Sequence, residues 1–197
     1  HPVLLGRPDD DVHPAAVAAY AEAAAALGGG RIDLFVNNAG IEGRVARLED
    51  LAVEDFDRVQ AVNVRGVFLG LKYVLPRVPR GGAVVNTGSL ASLRGSPGVS
   101  AYVASKHAVL GLTRTAALEQ AERGVRVNAV CPGPVEGRMM SSLDAGRGRS
   151  GRAVPGAFDG GRYARVDEVV GAVCFLLSAE AGFVSGTALT VDGARMA

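Results

Sequence analysis

Short apolar runs and helical patterns alternate along this chain, and that alternation restricts its fold more than any single residue does. Residues 15–27 are Ala-rich and helical, closed by Gly28-Gly29-Gly30 as a stop signal. Residues 32–36 form a short apolar run that reads as a buried strand ending at Asn37. Residues 53–78 read as one long helix whose end is marked by Pro76 and Pro79. Residues 83–87 are the next strand, led in by Gly81-Gly82, followed by a second long helix over 100–123 and a strand over 125–130. A helix over 166–178 and a strand over 187–191 complete the series. Strands separated by helices need crossover connections, the connections of a parallel sheet. The expectation is an α/β fold, a doubly wound parallel sheet of Rossmann-like type, in one domain over residues 1–197.

Composition narrows the partners. A chain of 197 residues can bury a substantial core, and 48% hydrophobic with 21% charged residues is an ordinary globular profile. A net charge of +1 exerts no strong pull toward nucleic acid or a membrane surface. No run is apolar enough to span a bilayer and no secretory signal is visible. Cys131 and Cys174 are too few for a disulfide framework and suit a reducing cytoplasm. No His/Cys cluster has metal-ligand spacing, so no metal is expected.

Between Gly137 and Arg165 the alternation fails. Such a long irregular stretch just past a strand's carboxyl end is expected to be a substrate lid. Its arginines read as compositional, since the chain has nineteen arginines against two lysines, Lys72 and Lys106.

The chemistry concentrates in Tyr102-Val103-Ala104-Ser105-Lys106, with Ser89 upstream. A Tyr and a Lys four residues apart on a helix share one face. A fixed ammonium favours the phenolate and draws a phenol's pKa of about 10 toward the working range. Ser89 adds a hydroxyl for a substrate oxygen. Together they are equipment for moving a proton on and off a carbonyl oxygen.

Asn37-Asn38-Ala39-Gly40, Asn63, the Ser-Tyr-Lys set and Cys131-Pro132-Gly133-Pro134-Val135 occur in that order, and with Val191-Asp192-Gly193 the chain resembles the short-chain dehydrogenase/reductase family from about Asp11 to Gly193. The resemblance implies an enzyme using NAD or NADP to interconvert a secondary alcohol and a ketone. In it Tyr102 is the general acid/base and Ser89 polarises the substrate oxygen. Lys106 lowers the Tyr102 pKa and bonds the nicotinamide ribose, and Asn63 anchors a water behind Lys106. Cofactor-lining positions carried over with it are Asp11 and Val12 at the adenine, Asn38, Ala39 and Gly40 near the ribose, Tyr102 and Lys106, and Pro132, Gly133 and Val135 at the nicotinamide. Leu90, Leu93, Val99 and Met139 are the expected apolar substrate pocket.

The chain departs from the family pattern in three places. Gly137 stands where relatives commonly carry a Thr that binds the cofactor, and Ala194 where they carry Gly. The family's glycine-rich pyrophosphate turn, with the strands and helices around it, has no counterpart here, so the native protein is expected to extend upstream of His1. NAD and NADP are therefore not separated, although Val3-Leu4-Leu5-Gly6-Arg7 offers an alternative second-strand end with an Arg for a 2′-phosphate. Ile41-Glu42-Gly43 and residues 65–71 resemble members acting on small cyclic alcohols and ketones. The alternatives are a 3-oxoacyl-thioester reductase and, in another class, a non-catalytic binding or scaffold subunit. The family's assembly habit implies a homo-oligomer, tetramer or dimer, formed through the two long helices and the last strand.

Overall fold

The computed structural model describes residues 12–148 and 158–197. In chain order it contains α1 (Pro14–Leu27), β1 (Leu34–Asn37), α2 (Val53–Gln60), α3 (Gly66–Val74), β2 (Ala83–Thr87), α4 (Ser100–Glu119), β3 (Arg126–Pro132), α5 (Arg138–Gly146), α6 (Val166–Leu177) and β4 (Ala188–Val191). The strands lie side by side in the order β1-β2-β3-β4, and every pair is parallel. Val36 lies opposite Val85, and Val85 opposite Asn128. Successive strand residues point to opposite faces, and both faces are covered. Phe35, Val84 and Val127 pack with Ala21 and Ala25 of α1, Val67, Leu71 and Val74 of α3, and Val109 and Ala116 of α4. On the other face Val85 and Val130 meet Leu176 of α6, with Val169, Val173 and Leu189 around them. Helices on both faces of a parallel sheet are the expected α/β architecture.

Local sequence explains the element ends. Pro14 opens α1, where its missing N–H costs nothing, and His13 Nδ1 accepts from Ala15 N at 3.3 Å. Gly29 and Gly30 take positive φ, and Gly30 N returns to Ala25 O at 2.8 Å to close the helix. Arg126 is buried and its guanidinium donates to the carbonyls of Leu176 and Ser178 at 2.6 and 2.9 Å, satisfying the end of α6.

Two expectations need correction. The helix expected over 53–78 is interrupted: α2 passes into a π-turn at Ala61–Arg65 before α3 begins, and a 3₁₀ turn at Leu75–Arg77 follows. The segment 137–165, expected to be irregular, carries helix α5 over its first third. Its ends are fixed by distant partners, which local pattern cannot show. Arg138 pairs with Glu42 at 3.4 Å, and Tyr163 donates to Asp144 at 2.7 Å. Asp11 lies outside the described residues.

A polar chain runs through the apolar layer. Asn37 Nδ2 donates to Asn86 Oδ1 at 2.8 Å, and Asn86 Nδ2 donates to Thr113 Oγ1 at 2.9 Å. Gly70 of α3 makes room for it, because a Cβ there would sit 2.2 Å from Asn37 Oδ1. Gly70→Ala is expected to break this bond and lower stability by about 1–3 kcal/mol, read from the denaturant midpoint. An unchanged midpoint would show that Asn37 can turn aside freely.

Candidate active site

The carboxyl ends of β1, β2 and β3 release the chain at Asn37, Thr87 and Pro132. The residues that follow each end, Asn38 to Gly40, Gly88 to Ser89 and Gly133 to Val135, line one cleft of about 570 Å³. Parallel sheets place their ligand sites at this edge, where strand ends diverge and backbone groups are free. Helix α5 forms part of the wall through Met139, Met140 and Leu143.

Ser89, Tyr102 and Lys106 meet in this cleft. Ser89 opens a 3₁₀ turn at Leu90–Ser92: its Oγ accepts from Ala91 N at 3.1 Å, and its own N–H donates to Ser92 Oγ at 3.2 Å. A Cβ on the preceding Gly88 would lie 2.8 Å from Cys131 Sγ and 3.1 Å from Val130 O, so only glycine lets β2 pass this close to β3. Tyr102 and Lys106 lie one turn apart on α4. The Lys106 ammonium donates to Thr87 O at 2.7 Å and sits 5.5 Å from the centre of the Tyr102 ring.

The electrostatics differ from the expectation. Burial raises the Tyr102 hydroxyl above its ordinary 10.0; the Ser89 hydrogen bond opposes this, and the Glu42 carboxylate adds to it. The net shift is upward, against the lowering expected from Lys106. Burial acts on Lys106 as well, disfavouring its charged form and lowering its pKa from 10.5 to about 8.

Asn63 lies behind this group, wholly buried on the π-turn. Its Oδ1 accepts from Ile41 N at 2.8 Å, while its Nδ2 donates to Ile41 O and to Ser105 Oγ, each at 2.9 Å. Ser105 Oγ in turn donates to Tyr102 O at 2.7 Å. Both amide hydrogens are thus used within the protein, and Asn63 brackets the loop after β1 to α4.

The other expected site residues divide. Asn38, Ala39, Gly40, Pro132, Gly133, Val135, Leu90, Val99 and Met139 line the cleft. Asn38 accepts from Thr87 Oγ1 at 3.1 Å, tying β1's end to β2's. Val12 stands beside α3, about 3.8 Å from a Cβ built on Gly66. Leu93 is a correction: it packs against Leu110, Ala129 and Cys131, because the turn after Ser89 carries it inward to the sheet. Sequence reading missed Glu42, Arg94, Arg147 and Ser105 as members of the site's surroundings. Ser105 alone had a local signal, lying between Tyr102 and Lys106.

A family model described as enoyl-(acyl carrier protein) reductase matches residues 10–194. Levodione reductase of Leifsonia aquatica is 41% identical over 175 residues, covering 85% of this chain and 66% of that protein. A crystal structure of levodione reductase superposes with a TM-score of 0.86 at 39% identity, over 94% of this chain and 74% of that one. Cyclohexanol dehydrogenase of Acinetobacter sp. strain SE19 is 41% identical over 167 residues, 84% of this chain and 64% of that protein. A short-chain dehydrogenase from Burkholderia cenocepacia J2315, solved in complex with NADP, gives a TM-score of 0.82 at 34% identity, covering 95% and 75%. The chain belongs to the short-chain dehydrogenase/reductase family. It spans about two thirds of the length of these two curated relatives.

Lysine titration tests the electrostatics directly, since the chain has only Lys72 and Lys106. In protein made with carbon-13-labelled lysine, one signal should titrate near 8. The unfolded chain holds that proton up to about 10.5, so stability should rise with pH between about 8 and 10.5 as the buried charge is relieved. Lys106→Met should abolish both the transition and the rise. A lysine-labelled protein with no transition near 8 would remove the burial argument.

Proposed function

We propose that the protein is an NAD- or NADP-dependent oxidoreductase that interconverts a secondary alcohol and its ketone. The observation that carries this reading is the convergence of Ser89, Tyr102 and Lys106 on one cleft at the carboxyl ends of the strands. The described residues fit the nicotinamide–ribose part of a dinucleotide. An ammonium has three hydrogens, and Lys106 uses one on Thr87 O, which leaves two for ribose hydroxyls. Gly40 keeps the neighbouring space open, since a Cβ there would lie 3.2 Å from Asn63 Oδ1 and 3.6 Å from Lys106 Nζ. When bound, the dinucleotide supplies or accepts the hydride.

The chain's own residues manage the proton. Ser89 Oγ accepts from Ala91 N and is hydrogen-bonded to the Tyr102 hydroxyl, so the two hydroxyls stand together to meet the substrate oxygen. Tyr102, whose raised pKa favours the protonated form, gives that proton to the carbonyl oxygen in reduction, and as the phenolate takes one from the hydroxyl in oxidation. Lys106 stabilises the negative charge that Tyr102 acquires when it gives up its proton in reduction. Asn63 and Ser105 act as positioning residues, holding α4 and the loop after β1 in register.

Leu90, Val99 and Met139 offer an apolar wall, which supports a compact cyclic or branched substrate, as does similarity to a cyclohexanol dehydrogenase. The segment 137–165 serves as the substrate lid, with α5 its described beginning. Phe68 and Leu118, 47% and 80% exposed on α3 and α4, support assembly into a homo-oligomer through the long helices. Among the described residues no helix is long and apolar enough to cross a membrane. Two free cysteines accord with a cytoplasmic protein.

Tyr102→Phe tests the mechanism. Turnover of a ketone panel should fall on the order of a thousandfold, while dinucleotide binding, followed by NADH or NADPH fluorescence, stays largely intact. Undiminished turnover would refute the proton assignment.

A further inference from the structure

We infer that the substrate end of the cleft holds an oxyanion carried by the substrate itself, with Arg94 and Arg147 as its cationic partners. This deepens the alcohol–ketone reading of the same site and rests on it. Both arginines line the cleft, Arg94 on the segment that follows Ser89 and Arg147 at the end of α5. Arg147 reaches the segment of Arg94 itself, through Ser96 and Pro97. The strand-end residues Asn38 to Gly40 come from a different part of the wall.

The charges there are uncompensated. Arg94 is exposed, and its guanidinium has no hydrogen-bond or ion-pair partner among the described residues. Arg147 is half-buried and donates only to neutral oxygens, Ser96 Oγ at 3.0 Å and Pro97 O at 3.5 Å, through one nitrogen. Those bonds aim the group without neutralising it, and among the described residues its other N–H donors have no partner. Neighbouring arginines of the same stretch are different. Arg138 pairs with Glu42, Arg162 with Asp159 and Glu168, and Arg165 with Asp167 and Glu168. Among the described residues Glu136 is the one carboxylate lining the cleft, and it belongs to the stretch after β3. Compositional abundance of Arg explains why arginines are common in the chain. It does not explain two unpaired ones at a single pocket. Guanidinium groups left free at a cleft suit a carboxylate, sulfonate or phosphate, which can accept several N–H bonds at once.

The test uses a matched pair, 4-oxocyclohexanecarboxylate and its methyl ester, with the whole protein and either NADH or NADPH. The keto acid should be reduced with a kcat/KM at least about tenfold above that of the ester, the worth of one charge-assisted hydrogen bond. Arg94→Gln and Arg147→Gln should each erase that preference, chiefly by raising the KM of the acid. Equal use of acid and ester, or a preference indifferent to both variants, would overturn the inference. So would an effect of the variants confined to the choice between NADPH and NADH, which would assign the anion to the cofactor. Calorimetric binding of cyclohexanecarboxylate against cyclohexanecarboxamide separates the two levels. Carboxylate binding that needs both arginines, with neither ketone turned over, would uphold the oxyanion site and refute the oxidoreductase reading. Equal or absent binding of both would refute the oxyanion site whatever the turnover.

Discussion

The Asn63 side chain is the interaction on which the site's geometry depends. A buried amide is tolerated only when its polar atoms are partnered, and this one is bonded on both sides. Through Ile41 it fixes the loop that carries Asn38 to Gly40, and through Ser105 it reaches the backbone of Tyr102. The π-turn inserts the extra residue that brings Asn63 inward from an otherwise regular helix. Replacing it by an apolar residue of similar size would orphan the Ile41 peptide groups and Ser105 together, so its cost spreads over two walls of the cleft. Position of α4 and shape of the loop after β1 are therefore one property.

The same logic runs through the sheet. Asn37, Asn86 and Thr113 form a polar line across an apolar layer, and Asn128 ties β3 to the chain before β4 through Val184 O and Thr187 N. Hydrophobic burial is non-directional and tolerates small slips. Side-chain amides at fixed register do not, and they align the carboxyl ends where the cleft opens. Glycines do complementary work at those ends. Gly88 and Gly70 permit approaches that any Cβ would prevent, one beside Cys131 and the other beside Asn37.

Much of this was legible in the sequence. Alternating apolar runs gave strands within a residue or two of their places, because parallel strands buried on both faces are short and almost wholly apolar. The Ser-Tyr-Lys set was legible because its spacing matches one helix face. What failed depended on distant contacts. Helix α5 is polar and flanked by glycines, and its ends are held by Glu42 and Tyr163 far away in sequence. Leu93 looked like a pocket residue beside Ser89, yet a single 3₁₀ turn redirects it into the core. The π-turn leaves no signature in an apolar helical pattern. The direction of the Tyr102 shift was missed for a related reason: spacing places an ammonium nearby, but burial of the phenol sets the balance.

The two kinds of cation in the cleft show how the chain separates its electrostatic tasks. Lys106 is a compact charge, 4% exposed, whose desolvation brings its pKa to about 8 and makes its protonation responsive near neutrality. Arginine could not serve there, since a guanidinium stays charged through that range and is too broad to sit beneath Tyr102 against Thr87. At the mouth the requirement reverses. Arg94 and Arg147 line the cleft and carry planar arrays of donors. The cleft thus carries two kinds of cation, a buried lysine beside a buried tyrosine and less buried guanidinium groups elsewhere on its wall. In a chain with nineteen arginines against two lysines, one of those lysines stands at this buried position.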